Sequence, residues 1–387
     1  MACFSARTLT AMLRVAMRML FGDRTKYLTL VLGLAFAALL MNQQGAIFVG
    51  LLTQATGPLQ NVHQPDLWVM DPDTAWVAEY RPLSDQKLSR VRSVAGVEWA
   101  EPFVNTYATC ELRSGSFKKL QMIGIARSTL AGRPPEMVIG RVEDLWIPDA
   151  IIVEEQSLAL LGDAKVGDVL KVNDRRAVIV GVCRAARGFE SNATIYTTYE
   201  NANRFAPVGR ETISYILVKQ KPGTDAQVVK AGIDALGDVK AFTTQEFRER
   251  SIRFIVVATG IGVNFGITIL LGFVVGLLLS ASIFYQFTVE NIRYFATLKA
   301  LGATNATLAS MVLLQAVIVG VIGFGIGSGA AGVFAIFSQN IQSELKVEFP
   351  WQLLVGSFFA TLLTIMLGSV LSLRRVMRVS PGTVFAS

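Results

Sequence analysis

The stretch ENIRYFATLKALGAT, Glu290–Thr304, lies between two long segments that contain no Asp, Glu, Lys or Arg. The uncharged segments are residues 254–289 and 300–343, and each exceeds the ~20 apolar residues with which a helix crosses the hydrocarbon core of a bilayer. The stretch itself carries Glu290, Arg293 and Lys299. We therefore predict two membrane spans that are joined by a short polar helix.

The composition of the whole chain is that of a membrane protein with a large aqueous part. Of its 387 residues 52% are hydrophobic, and the mean hydropathy is +0.46, which is too apolar for an ordinary soluble protein and too polar for a chain made only of spans. The predicted fold class is an α-helical membrane protein with four transmembrane helices and a large extracytoplasmic α+β domain inserted between helices 1 and 2. The predicted boundaries are a cytoplasmic or interfacial amphipathic helix at 1–26, transmembrane helices at 27–52, 254–287, 305–338 and 351–373, the α+β domain at 53–253, a cytoplasmic helix at 288–304, a short periplasmic loop at 339–350 and a cytoplasmic tail at 374–387.

The distribution of charge predicts the orientation of the spans. Segments 1–26, 288–304 and 374–387 together hold ten basic and two acidic residues, whereas 53–253 holds equal numbers of both. Because basic residues accumulate on the cytoplasmic side of membrane proteins, we expect both termini in the cytoplasm and the 53–253 domain outside it. This topology explains the net charge of +7, so a nucleic-acid partner is not expected.

The spacing of predicted strands and helices in 53–253 indicates two βαβ-like pieces that flank a β-rich insert. Asn173 and Asp174 are expected to turn a hairpin within the insert. Thr243 or Thr244 is expected to cap a helix that includes 245–253 and runs directly into the second span. Strands are predicted at 66–70, 99–111, 118–126, 150–153, 168–172, 177–182, 213–218 and 239–242, and helices at 155–161, at 225–236 and from the N-cap Ser84 to about 94.

The motifs of common catalytic and cofactor sites do not occur in the sequence. It contains no Walker A pattern, and its single histidine, His63, gives no credible zinc site. A match to G-x-G-x-x-G at 327–332 lies within a predicted span, where a dinucleotide has no aqueous crevice. We therefore predict a non-catalytic membrane subunit that binds neither cofactor nor metal.

Small residues of the third span predict close helix packing. Gly320, Gly323 and Gly327 allow another helix to approach, either in the same subunit or in a partner. The centres of the spans hold no acid or base, which disfavours an ion-coupled carrier. In the outer domain, Cys110 and Cys183 either form a disulfide or remain separate thiols, and the sequence leaves both open.

The joining stretch has one apolar side as a helix. Tyr294, Leu298 and Leu301 share a stripe, and Gly302 is placed to end the helix. Two interpretations fit this pattern: a handle on which a cytosolic partner pushes, or a connector that lies on the membrane surface.

A resemblance favours the first interpretation, a helix on which a cytosolic partner pushes. Residues 290–303 resemble the cytoplasmic coupling helix of FtsX/MacB-type ABC transporter permeases, the type VII or mechanotransmission class, whose pattern is roughly E-R-x-x-E-I-G-x-L-[RK]-A-L-G-A. The chain shares Glu290 and the run LKALGA at 298–303, and it departs at Asn291, Tyr294 and Ala296. Further resemblances are those of 22–45 and 296–304 to stand-alone DevC-like permeases, of 160–199 to the family's periplasmic core domain, and of 374–385 to its C-terminal ending.

The resemblance implies the permease subunit of an ABC exporter, which transmits ATPase-driven motion to its periplasmic domain. Such permeases are multi-pass proteins of the bacterial inner membrane that form dimers and bind two copies of a separate ATPase. DevC-like members work with a membrane-fusion adaptor and a TolC-like outer-membrane channel. The residues that the resemblance assigns to the ATPase-coupling helix are Glu290, Tyr294, Phe295, Leu298, Lys299, Ala300, Leu301 and Gly302.

Two other functions are compatible with the same family. One is release of lipoproteins, as in LolCE-like complexes, and the other is FtsX-like control of a cell-wall hydrolase. The sequence identifies neither the substrate nor the adaptor, and it leaves open a homodimer or a heterodimer with a paralogue.

Overall fold

The computed structural model describes residues 18, 24–190, 192–206, 213–340 and 346–377. Most of the predicted N-terminal amphipathic helix therefore lies outside the described residues, as does most of the C-terminal tail. The chain divides into two compact units, Leu51–Ile261 and the residues that precede and follow this range. The helices are α1 (Arg24–Ala55), α2 (Gly57–Gln60), α3 (Asp85–Arg92), α4 (Ser157–Leu160), α5 (Tyr199–Phe205), α6 (Ala226–Asp234), α7 (Thr244–Arg253), α8 (Ile261–Glu290), α9 (Ile292–Ala300), α10 (Asn305–Asn340) and α11 (Trp351–Met377).

Four helices in the described part of the chain are long and apolar enough to cross a membrane: α1, α8, α10 and α11. The α/β unit follows the first of them in sequence. This confirms the predicted architecture of four membrane-spanning helices with a large α/β domain inserted after the first.

Ten strands of the described residues form one sheet in the Leu51–Ile261 unit. The order is β10-β1-β9-β2-β3-β8-β5-β7-β4, and β6 pairs with both β2 and β7. Three buried apolar clusters pack against this sheet. The strands are β1 (Leu67–Met70), β2 (Val97–Glu111), β3 (Phe117–Ile125), β4 (Glu136–Ile139), β5 (Ala150–Glu154), β6 (Val169–Val172), β7 (Arg175–Arg184), β8 (Ala193–Thr198), β9 (Tyr215–Gln220) and β10 (Lys240–Thr243).

One end of the sheet consists of two interlocked βαβ units. Strand β1 is antiparallel to both β9 and β10, and β9 is antiparallel to both β1 and β2. The connections β1-α3-β2 and β9-α6-β10 therefore each join parallel strands that have one other strand between them. The remaining strands, β3 to β8, lie between these units in sequence, so the predicted β-rich insert between two βαβ-like pieces is confirmed.

Local chemistry explains the predicted turns and caps. Asn173 and Asp174 have φ values of 45° and 62°, which a two-residue hairpin turn requires and which Asn and Asp tolerate well. Thr243 caps α7 with its side chain and forms a capping box with Glu246, which satisfies two N–H groups at the helix start.

The prediction that α7 runs directly into the second span is wrong. After α7 the chain forms a π-helix over Phe254–Ala258, and α8 begins only at Ile261. Gly260 has φ +72°, a left-handed conformation that glycine adopts at little cost and that ends a right-handed helix. The helical rod is therefore interrupted at Thr259–Gly260, a few residues after the predicted start of the span.

Candidate functional site

The short helix α9 is set off from its neighbours at both ends. Asn291 separates it from α8, and the Asn291 side chain donates a hydrogen bond to Phe287 O at 2.8 Å. At the other end Gly302 has φ +93°. The amide of Gly302 donates to Lys299 O, and that of Ala303 donates to Leu298 O, which is the hydrogen-bond pattern of a Schellman motif. The prediction that Gly302 ends the helix is confirmed.

One face of α9 is packed inside the protein. Phe295 and Ala296 are fully buried. The Phe295 ring belongs to an apolar cluster with Leu308 and Val312 of α10 and Val376 of α11, and Leu298 is half-buried against the same cluster. These side chains hold α9 against the ends of two long helices. Phe295, which the resemblance assigns to the ATPase-coupling helix, thus serves as an internal anchor.

The opposite face of α9 is open. Tyr294 is 63% exposed and Leu301 is 80% exposed, although both side chains are large and apolar enough to favour burial. The spacing of Tyr294 and Leu298 predicted a common stripe, but the structure divides it: Leu298 turns toward the protein and Tyr294 away from it. Burial of the neighbouring Phe295 decides this division, and only the tertiary packing shows it.

The remaining predicted residues lie around this open face. Glu290 is exposed and accepts a hydrogen bond from Gln286 Nε2 at 3.2 Å. Ala300 and Gly302 are exposed as well. Lys299 is half-buried, and its Nζ donates to Met377 O at 2.9 Å, so it ties α9 to the end of α11.

The predicted packing glycines contact two different helices of the same chain. A methyl group on Gly323 would lie 2.9 Å from Leu34 Cβ, and one on Gly327 would overlap Ala35 O, so both approach α1. A methyl group on Gly320 would lie 3.3 Å from Ile365 of α11. The close approach is thus made within the subunit.

The sequence reasoning missed a polar junction of three spans. Asn42 of α1 is fully buried. Its Nδ2 donates to Ser328 of α10 at 3.3 Å, and its Oδ1 accepts from Ser357 of α11 at 2.8 Å. The run of three amides at 42–44, inside the predicted first span, is the signal that could have found this junction, since buried amides in lipid bridge helices.

In the α/β unit Cys110 and Cys183 are free and buried. Burial, together with the nearby Glu111 carboxylate, raises the pKa of Cys110 to about 11. Burial, together with Glu154, raises the pKa of Cys183 to about 12. The two thiols belong to different apolar clusters, so the structure favours the second of the two alternatives that the sequence left open.

Comparison with known proteins agrees with this layout. Residues 27–236 match the MacB-like periplasmic core domain, and residues 266–381 match the FtsX-like permease C-terminal family. An ABC transporter permease of Mycobacterium bovis is 27% identical over 310 residues, and one of Mycobacterium tuberculosis is 24% identical over 308; each match covers 79% of both chains.

Two solved structures also match part of the chain. The periplasmic region of MacB from Actinobacillus actinomycetemcomitans matches with a TM-score of 0.40 and 12% identity, over 49% of this chain and 94% of its own. The extracellular domain of the transporter YknZ from Gram-positive bacteria matches with a TM-score of 0.35 and 14% identity, over 47% and 100%.

Proposed function

Because the chain belongs to the FtsX/MacB-type ABC transporter permeases, we propose that it is the permease subunit of an exporter, receiving motion from an ABC ATPase at α9 and passing it to the domain at 53–253. As a permease of an ABC transporter it has an ATPase partner, and as a chain with four long apolar helices it is a multi-pass membrane protein. The ATPase is a separate subunit, present in two copies on a permease dimer.

The observation that carries this proposal is the open face of α9. Tyr294 and Leu301 expose apolar side chains on a helix whose opposite side is anchored by Phe295. Burial of one leucine side chain against a partner contributes ~2 kcal/mol, and anchored apolar side chains of this kind dominate interface energies. A helix fixed on one side and apolar on the other can accept a push without detaching from its own protein.

Leu301→Asp tests the proposal more cleanly than a change at the half-buried Leu298. The complex is purified from native membranes through a tag on the permease, and bound ATPase and ATP hydrolysis are measured. We expect roughly 30-fold weaker retention of the ATPase, since ~2 kcal/mol is lost. Leu301→Met is the matched control and should keep both. Normal retention and hydrolysis in Leu301→Asp would refute the assignment of α9.

In this proposal the chain lies in a bacterial inner membrane and belongs to a tripartite efflux system. Its further partners are a membrane-fusion adaptor and an outer-membrane channel. The basic residues of 1–26, 288–304 and 374–387 support cytoplasmic termini. Mass spectrometry of the same purification tests this. An adaptor beside the ATPase supports the tripartite exporter, whereas an ATPase alone shifts the function toward lipoprotein release or hydrolase control.

A further inference from the structure

Helices α8 and α11 run parallel and pack at one constant register. A methyl group on Gly276 would lie 3.2 Å from Thr364 Cγ2, and one on Gly368 would lie 2.7 Å from Ser280 Cβ. The offset in residue number is the same in both pairs. Extending this register by one and two turns places Phe284 opposite Ser372 and Thr288 opposite Val376.

In this register the hydroxyl groups of the interface lie opposite groups that cannot bond to them. Ser280 faces Gly368, and the extended register places Thr288 opposite Val376 and Ser372 opposite Phe284. All three hydroxyls are buried, and within the described residues none has a hydrogen-bond partner. Thr364 of α11 instead donates to a carbonyl of its own helix, Ala360 O, at 2.8 Å. Unpaired polar groups in the hydrocarbon region are costly, so their presence at one interface requires an explanation.

A shift of four residues pairs these hydroxyls. If α8 moves along α11 toward its own N-terminal end by four residues, about 6 Å at 1.5 Å per residue, Thr288 comes opposite Ser372. Ser280 then comes opposite Thr364. The same shift places Phe284 opposite Gly368, where the two helices now approach so closely that a methyl group would lie 2.7 Å from Ser280 Cβ. The helices must therefore separate locally to admit the ring.

The packing of α8 on α1 tolerates the same shift. Gly276 now approaches Ala37, and Gly272 approaches Met41. Gly272, Gly276 and Ser280 are spaced four residues apart, so the movement replaces one small residue by another at each contact. By contrast α1, α10 and α11 are joined through the Asn42 hydrogen bonds, which makes α8 the helix that can move.

The joint with α9 can absorb the movement. A nine-residue helix is ~13 Å long, so raising its α8 end by ~6 Å while its Gly302 end stays in place tilts it by roughly 25–30°. Asn291 and Gly302 interrupt the helix at its two ends. Leu308, Val312 and Ala316 repeat every four residues on α10 and are buried, so Phe295 meets an apolar surface at either height.

We propose that α8 has two registers along α11, one helical turn apart, and that the Thr288–Ser372 and Ser280–Thr364 hydroxyl pairs form only in the second. The switch rests on the proposed function, since tilting of α9 by the ATPase is what drives it. One-turn shifts between packed elements are a known form of bistable transition. The hydroxyl groups of the interface are complementary to one another only in the shifted register, and a protein with a single fixed register would not need them.

Two double-cysteine variants that share one position test the proposal. Thr288→Cys with Val376→Cys reports the register of the structure, and Thr288→Cys with Ser372→Cys reports the shifted one. Disulfides do not form when the Cα atoms are more than about 7 Å apart, so a four-residue difference separates the two. Full-length permease in native membranes is oxidised in the presence of ADP or of a non-hydrolysable ATP analogue. Crosslinked peptides are identified by mass spectrometry, with each single-cysteine variant as background.

We expect each pair to predominate under a different nucleotide. Absence of the Thr288–Ser372 crosslink under both conditions, or of both crosslinks, overturns the two registers, even if loss of the ATPase in Leu301→Asp supports coupling at α9. If both crosslinks form in the same ratio with ADP and with the ATP analogue, the two registers are supported and their coupling to the ATPase is contradicted.

As a second measurement, Thr288→Val should lower stimulated ATP hydrolysis roughly three-fold, because one hydrogen bond in the membrane is lost, whereas Thr288→Ser should not. Equal hydrolysis in both variants would count against the paired register.

Discussion

Substitution of Gly327 by alanine separates two kinds of glycine on the same helix. In α10, Gly327 faces α1, whereas a methyl group on Gly329, half a turn away, would have no atom of the described residues within 4 Å. Both changes add the same methyl group and gain the same helix propensity, up to ~1 kcal/mol in a soluble helix. The difference between the two variants therefore isolates the packing against α1.

The size of this difference follows from the distances. The new methyl group at 327 would overlap Ala35 O and would lie 2.8 Å from Ala38 Cβ, whereas non-bonded carbon atoms prefer ~3.5–4.0 Å. The helices must therefore separate by about 1 Å. Overpacking of this kind costs ~1–3 kcal/mol, and at ~2–4 °C per kcal/mol we expect the midpoint of thermal unfolding of Gly327→Ala to lie roughly 2–12 °C below that of Gly329→Ala.

The assay is size-exclusion chromatography of detergent-solubilised full-length protein after heating to a series of temperatures. Each variant carries the same fluorescent fusion, and the midpoint is the temperature at which half of the monodisperse peak is lost. Equal midpoints for the two variants, both close to that of the unmodified protein, would refute the close packing of α10 on α1. An equal fall in both, relative to the unmodified protein, would instead show that the open glycine face is covered in the assembled protein.

Three further outcomes are expected. Asn42→Ala should lower stability by ~1–2 kcal/mol because it removes two interhelical hydrogen bonds of ~0.6 kcal/mol or more each, whereas Asn264→Ala, at an exposed position of α8, should change the same heating midpoint little. Cys110 and Cys183 should escape iodoacetamide at pH 7 in the folded protein, since a pKa of about 11 leaves roughly 10⁻⁴ of a thiol ionised, and both should react in SDS without reductant; protection in SDS would reveal a disulfide. For Glu246 burial opposes ionisation, but hydrogen bonds from Lys230 and Thr243 outweigh it and lower the pKa below 4.5. The stability gained is therefore present above that pH and is lost as the pH falls below it, so the midpoint difference between the unmodified protein and Glu246→Gln should shrink on acidification, and a constant difference would contradict the ion pair.

The membrane helices and the flanking βαβ units were predictable because their signals are local. A span is a run of apolar residues, and the Asn173 turn and the Thr243 cap each depend on one or two side chains. Strand β8 was missed for the opposite reason. All six of its residues are buried, so it shows no alternation of polar and apolar residues. Its Thr, Ile and Tyr residues favour strands and were the signal that could have found it; in the structure Thr197 Oγ1 donates to Ala150 O at 2.8 Å.

The interruption before α8 shows a second limit of the sequence. Gly260 stands in an uncharged run that reads as continuous helix, and glycine is common in membrane helices. The positive φ of Gly260 depends on how the π-helix before it ends, with Thr259 Oγ1 donating to Ile255 O. The same holds for Tyr294 and Phe295: both are aromatic neighbours on α9, and only the position of α10 and α11 decides which of them is buried.

The distribution of hydrogen bonds among the four spans explains why the proposed mechanism moves α8 rather than its neighbours. Interhelical bonds to Asn42 join α1, α10 and α11, and a span joined in this way resists movement along its axis, because each bond would be broken in lipid without a replacement from water. Within the described residues, Ser280 and Thr288 of α8 have no hydrogen bonds between helices to lose. In the proposed mechanism, a force applied to the open face of α9 meets less resistance along α8 than along any helix of the joined group. The N-terminal end of α8 is connected to the α/β unit, as is the C-terminal end of α1. Fixing α8 to α11 by a disulfide between Thr288→Cys and Val376→Cys should abolish coupled hydrolysis while leaving ATPase binding intact, and reduction of the disulfide should restore hydrolysis. Coupled hydrolysis at the normal rate in the crosslinked protein would show that movement of α8 is not required.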